Sequence, residues 1–125
     1  MSKSKIMIVE DESIIAEDLA DSLENMGYIV VDIVPSGEEA ILMAAEKQPH
    51  LILMDVMLQG EIDGITAAEE IYSSLQIPII FLTAYSDNQT LQRVKATNPF
   101  GYIVKPFEER NLYLTIEIAL ERHHY

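Results

Sequence analysis

Four groups of residues in this chain have the types to do chemistry together: Glu10-Asp11-Glu12, Asp55, Thr83-Ala84 and Lys105-Pro106. Each closes or follows a short apolar run, KIMIV (5–9), LILMD (51–55), PIIFLT (78–83) and FGYIV (100–104). Asp55 is the odd one, a carboxylate inside LILMDVMLQ, a segment that otherwise has the character of core. Burying an unpaired charge is costly, so Asp55 needs a partner. Clustered carboxylates repel one another unless a cation sits between them. Oxygen donors without His or Cys favour a hard ion, and Mg²⁺ is the usual one for one or two carboxylates plus water. A cation, an ammonium and a hydroxyl around one carboxylate suit phosphoryl transfer. The three neutralise the phosphoryl oxygens while the carboxylate accepts the group.

The elements that must position these residues alternate along the chain. Strand-like runs at 5–9, 28–34, 51–55, 78–83 and 100–104 are each followed by an amphipathic stretch. In SIIAEDLADSLENMG (13–27), Ile15, Leu19, Leu23 and Met26 recur at helical spacing and Gly27 is the stop. SGEEAILMAAEKQ (36–48) opens with Ser36 and Glu39 at capping-box spacing. Asp63-Gly64 leads into ITAAEEIYSSL, Ser86 with Gln89 opens a short helix, and FEERNLYLTIEIALERHH (107–124) is the last helix. Strands apolar on both faces predict a parallel sheet covered on both sides. Right-handed crossovers then give an α/β fold: a five-stranded parallel sheet, doubly wound as (βα)5, in a flavodoxin-like three-layer sandwich. Such folds bind ligands beyond the carboxyl ends of the strands. All four groups fall on that rim, where Asp55 would find Lys105 and a cation.

The composition bounds the function. The 125 residues suit one domain, expected over 1–125, and 49% are apolar, enough for a core. Without cysteine the chain has no disulfide, thiol nucleophile or Cys-ligated metal. No apolar run approaches the roughly 20 residues of a membrane span. The N-terminus turns acidic too early for a signal peptide. A cytoplasmic protein is therefore expected. The 21 acidic residues against 8 basic ones, a net charge of −13, argue against a direct grip on nucleic acid. His50, His123 and His124 lie in a turn and at the chain end, and are set aside as ligands. The Met residues are mostly core filler.

Taken in order, Glu10-Asp11, Asp55 in LILMD, Asp63-Gly64, Thr83-Ala84, Tyr102 and Lys105-Pro106-Phe107 resemble the receiver domains of two-component response regulators over essentially the whole chain. That resemblance implies a phosphorylation switch, a signalling module more than a turnover enzyme. Asp55 would accept a phosphoryl group from the phosphohistidine of a sensor histidine kinase or phosphotransfer protein. Asp11 and Asp55 would hold Mg²⁺, with the Met57 backbone carbonyl as a further ligand and Glu10 directly or through water. Thr83 would bond a phosphate oxygen, and Lys105 would pair with Asp55 and then with the phosphate. Tyr102 would change rotamer as Thr83 moves, and the Lys105–Pro106 bond would be cis.

The segment VMLQGEID, between Asp55 and Gly64, departs from the family pattern. It lacks a common Pro and is one residue longer, and Gly60 predicts a different turn, which bears on the role of Met57. Met57 and Tyr85 are large and flank the line of water attack, and are expected to slow hydrolysis of phospho-Asp55. Ile14, beside Ile15 and near the acidic turn, is a candidate docking residue for a kinase helix. The fourth helix, fifth strand and fifth helix form the family's usual output face. Here that face would carry Arg93, Lys95, Tyr102 and Arg110, a basic surface for an acidic partner or a second copy of this chain. Two rivals stand beside this reading. A haloacid-type Mg²⁺ phosphohydrolase has similar groups, but its nucleophile stands on the first strand. An unphosphorylated docking pseudo-receiver would bind no Mg²⁺.

Overall fold

The computed structural model describes residues 3–58, 60–84, 88–96, 101–106 and 108–123. Five strands alternate with five helices: β1 Lys5–Val9, α1 Ser13–Asn25, β2 Ile29–Val34, α2 Gly37–Lys47, β3 Leu51–Asp55, α3 Gly64–Leu75, β4 Ile79–Ala84, α4 Asn88–Ala96, β5 Gly101–Lys105 and α5 Glu109–His123. The strands form one parallel sheet in the order β2-β1-β3-β4-β5. The predicted class and winding therefore hold. The order reverses between β1 and β3, which opens a crevice at the carboxyl ends of those two strands.

Side-chain alternation along the strands builds two cores. Ile6, Ile8, Leu51 and Leu53 face α1 and α5. Met7, Val9, Ile52 and Met54 face α2 and α3, with Val94 of α4 joining them. Every residue of β3 is buried, because that strand lies at the centre with helices on both faces. This explains why LILMD has no polar residue before its last position. The edge strand β2 is more open, with Ile29 and Ile33 exposed. Its pairing with β1 slips between Ile6↔Val30 and Met7↔Asp32, which leaves Val31 as an extra residue.

Local signals set the helix starts. Ser36 caps α2 by accepting from the Glu39 amide, and Asp63 caps α3 by accepting from the Thr66 amide. Tyr28 falls just before β2 rather than in it. It is buried, donates its hydroxyl to Glu117 of α5 and lies tilted against Tyr113. Burial and then Glu117 raise its phenol well above the usual range. Ser86, expected to open α4, lies outside the described residues, as do Tyr85, Phe107 and His124. Among the described residues no helix is long and apolar enough to cross a membrane.

Candidate phosphorylation site

Three strand ends converge on one acidic pocket. β1 delivers Glu10, 2% exposed, and Asp11 follows it half-buried. β3 ends on Asp55, 5% exposed. One carboxylate oxygen from each of the three lies within 4.8 Å of the others. β5 ends on Lys105, whose Nζ donates to Asp55 Oδ2 at 2.7 Å and to Glu10 Oε1 at 3.2 Å. The ammonium thus answers the charge on Asp55 that the sequence left unpaired.

Backbone groups hold the carboxylates in place. The Met57 amide donates to Asp55 Oδ1 at 3.0 Å, and the Glu12 amide to Glu10 Oε2 at 3.2 Å. The Glu10 amide itself bonds to the Val34 carbonyl, which extends the β1–β2 ladder by one step. Thr83 on β4 is 2% exposed, and its hydroxyl is buried with no protein partner among the described residues.

The electrostatics follow from crowding. Burial, then the Asp55 carboxylate beside it, push the Glu10 carboxyl up to about 7. Burial alone would lower the Lys105 ammonium, but its bonds to Asp55 and Glu10 outweigh that and raise it. Three acids share one ammonium, so the pocket carries excess negative charge. Oxygen-only donors at this spacing are what a hard divalent cation takes. An unpartnered buried hydroxyl is costly unless a ligand comes to it. The residues present therefore fit a hard cation and an anionic group together.

At Gly64 the chain returns against the acceptor: a Cβ there would lie 2.1 Å from the Asp55 carbonyl oxygen, so only glycine fits. The Gly64 amide bonds to the Val56 carbonyl at 3.1 Å. Gly60 has φ +101°, a left-handed backbone that favours glycine, so a special turn stands where the sequence predicted one. The Lys105–Pro106 bond is cis, as expected.

The remaining candidates scatter around this centre. Met57 is 64% exposed at the pocket mouth. Ile14 is 82% exposed at the start of α1, while Ile15 is half-buried. Tyr102 is partly exposed on β5, and Lys95 and Arg110 are exposed. Arg93 is not simply a free cation of an output face: it reaches Asp63 Oδ2 at 2.9 Å and ties α4 to the cap of α3. No sequence signal marks that pair, because its partners stand at the head of one helix and on another. Burial pushes the Asp63 carboxyl up, but the Thr66 amide and Arg93 outweigh this and hold it below the usual range. Tyr102, Val104, Pro106, Leu114 and Ile118 line a groove of about 370 Å³ along β5 and α5.

Comparison with known proteins agrees with this geometry. The family described as response regulator receiver domain matches residues 6–117, and the chain belongs to it. The transcriptional regulatory protein PdtaR of Mycobacterium tuberculosis is 39% identical over 118 residues, which are 94% of this chain and 57% of that protein. The phyllosphere-induced regulator PhyR of Methylorubrum extorquens is 34% identical over 118 residues, 94% of this chain and 43% of that protein. The chain thus spans about half the length of these curated relatives. Among solved structures, the signal receiver domain of a modulated diguanylate cyclase from Desulfovibrio desulfuricans superposes with TM-score 0.91 at 37% identity, covering 98% of each chain. The signal receiver domain of a signal transduction histidine kinase from Syntrophus aciditrophicus gives 0.85 at 30% identity, covering 95% of this chain and 91% of that one. The chain is a receiver domain of two-component signalling, a class of signalling modules that work with histidine kinases or phosphotransfer proteins.

Proposed function

We propose that this receiver is phosphorylated on Asp55 and relays the change through Thr83 and Tyr102 to its α4–β5–α5 face. The observation that carries the reading is the Lys105 ammonium bridging Asp55 and Glu10, with a buried Thr83 hydroxyl that has no partner among the described residues. An Asp55 carboxylate oxygen attacks phosphorus, the bond from phosphorus to the donor's imidazole nitrogen breaks, and that nitrogen keeps the electron pair. Asp11, Asp55, Glu10 and the Met57 carbonyl would hold Mg²⁺, which when bound neutralises charge on the phosphoryl oxygens. Lys105 orients the acceptor and then pairs with the new phosphate. Thr83 supplies a hydroxyl to a phosphate oxygen and so gains the partner it lacks. That gain is what would draw β4 and Tyr102 towards the site.

Intact mass after incubation with acetyl phosphate and Mg²⁺ tests this reading. A gain of one phosphoryl group is expected in the wild type, absent in Asp55→Asn and absent without Mg²⁺. No gain together with no Mg²⁺ binding would favour the unphosphorylated docking module instead.

Ile14 and Ile15 are proposed to meet the kinase or phosphotransfer partner, since Ile14 exposes an apolar side chain beside the pocket. Ile14→Ala is expected to slow transfer from a phosphohistidine donor while leaving acetyl phosphate labelling unchanged. Equal slowing with both donors would place Ile14 in the pocket's support instead.

A further inference from the structure

The β3–α3 loop is fastened to a helix that no step above uses. At its far end, the Glu61 amide donates to Glu38 Oε2 at 2.9 Å, in the first turn of α2. Gly60 passes so close to that carboxylate that a Cβ there would lie 2.7 and 2.8 Å from its two oxygens. A second contact stands one residue earlier on α2. A Cβ on Gly37 would lie 3.0 Å from Ile62 Cγ1, so the missing side chain makes the seat that Ile62 fills. Ile62 in turn packs on the core shared by α2 and α3. At its near end, the same loop begins with Met57, whose amide holds Asp55 Oδ1. The loop is thus held at the pocket by Asp55, at its return by Gly64, and between them by α2.

We infer that Glu38 is a positioning residue for phosphorylation: with Gly37 it clamps the β3–α3 loop so that Met57 is presented to Asp55 and to the cation. The inference rests on the reading of Asp55 as phosphoacceptor. Glu38 is solvent-exposed, and its contacts are with the loop, at the Glu61 amide and beside Gly60. It acts through one accepted hydrogen bond. An acceptor is what matters, so glutamine at this position should serve and alanine should not. Free of the clamp, the loop samples more backbone states, and the Met57 groups spend less time where a cation needs them.

Two readouts test this besides activity. Hydrogen exchange at the Glu61 amide reports the clamp, and Mg²⁺ titration followed at the Met57 amide by NMR reports the site. In Glu38→Ala, protection of the Glu61 amide is expected to be lost and the Mg²⁺ dissociation constant to rise by up to about tenfold, the low end for outer-sphere partners of metal ligands. Glu38→Gln is expected to keep both near wild type. An unchanged dissociation constant in Glu38→Ala, with the amide deprotected, would overturn the inference and leave the receiver reading intact. So would a Glu38→Gln variant as weak as Glu38→Ala, because charge and not the clamp would then be at work. A wild type that shows no Mg²⁺ shift at Met57 would overturn the cation reading itself, and with it the inference.

Discussion

At Thr83 the proposed role has a measurable cost in stability. A buried hydroxyl without a partner costs about 1–3 kcal/mol relative to one that is satisfied. Its methyl and hydroxyl are nearly the shape of valine. Thr83→Val is therefore expected to stabilise the unphosphorylated chain by about 1 kcal/mol. The same change should remove the shift of β5 amide resonances on phosphorylation, because the phosphate would have no hydroxyl to draw inward. Urea unfolding and NMR of the phosphorylated form check the two halves. A destabilised variant would mean that the hydroxyl already serves the resting fold. Residues of this kind were legible in the sequence because each stands directly after an apolar run. Glu10, Asp55, Thr83 and Lys105 needed only the strand ends to be read correctly. The link from Glu38 to the loop was not legible. An acid in the first turn of a helix already has a sufficient reason in the helix dipole, and its partner amide lies 23 positions away.

Between elements, polar pairs do the fastening that apolar periodicity does not reveal. The alternation of strand and helix was readable because short runs that are apolar throughout differ clearly from longer stretches with apolar residues at helical spacing. Boundaries moved by a residue or two, as at Tyr28, whose aromatic ring suits a strand but whose hydroxyl is claimed by Glu117. The bridge from Arg93 on α4 to Asp63 at the head of α3 was hidden for the same reason as Glu38: it is a contact across the fold. It also lends itself to a pH experiment. The folded carboxyl of Asp63 is held below its ordinary value. Its contribution is therefore present above that value and lost as pH falls through the folded one. Asp63→Ala is expected to cost about 1–2 kcal/mol at pH 7, mostly through the lost cap. The difference from wild type should narrow as pH falls through the folded carboxyl's range, and urea unfolding at pH 7 and in acid measures it. A gap of the same size at low pH would show that the charge on Asp63 contributes nothing.

At the scale of the whole molecule, charge and shape pull against each other. A net charge of −13 makes copies of the chain repel. The groove along β5 and α5 still offers Tyr102, Leu114 and Ile118, all partly exposed and apolar or aromatic. Lys95 on α4 and Arg110 on α5 add exposed positive charge. We expect the phosphorylated form to pair with itself through this face. Sedimentation velocity should show a dimer with acetyl phosphate and Mg²⁺ present and a monomer without them. Added salt should strengthen the pairing by screening the overall repulsion. A monomer at high concentration in the labelled state would rule the pairing out.

The slipped register between β1 and β2 has a consequence for solubility. β2 is an open edge with Ile29 and Ile33 exposed, the kind of strand on which another chain can template itself. The extra residue at Val31 breaks the straight row of amides and carbonyls that such templating needs, because a bulge bends and twists its strand. An incoming strand that followed the edge would lose step at the bulge. Deleting Val31 would straighten the edge, and the cost would fall on shelf life rather than on signalling: a chain that fibrillates on standing while its acidic pocket stays intact.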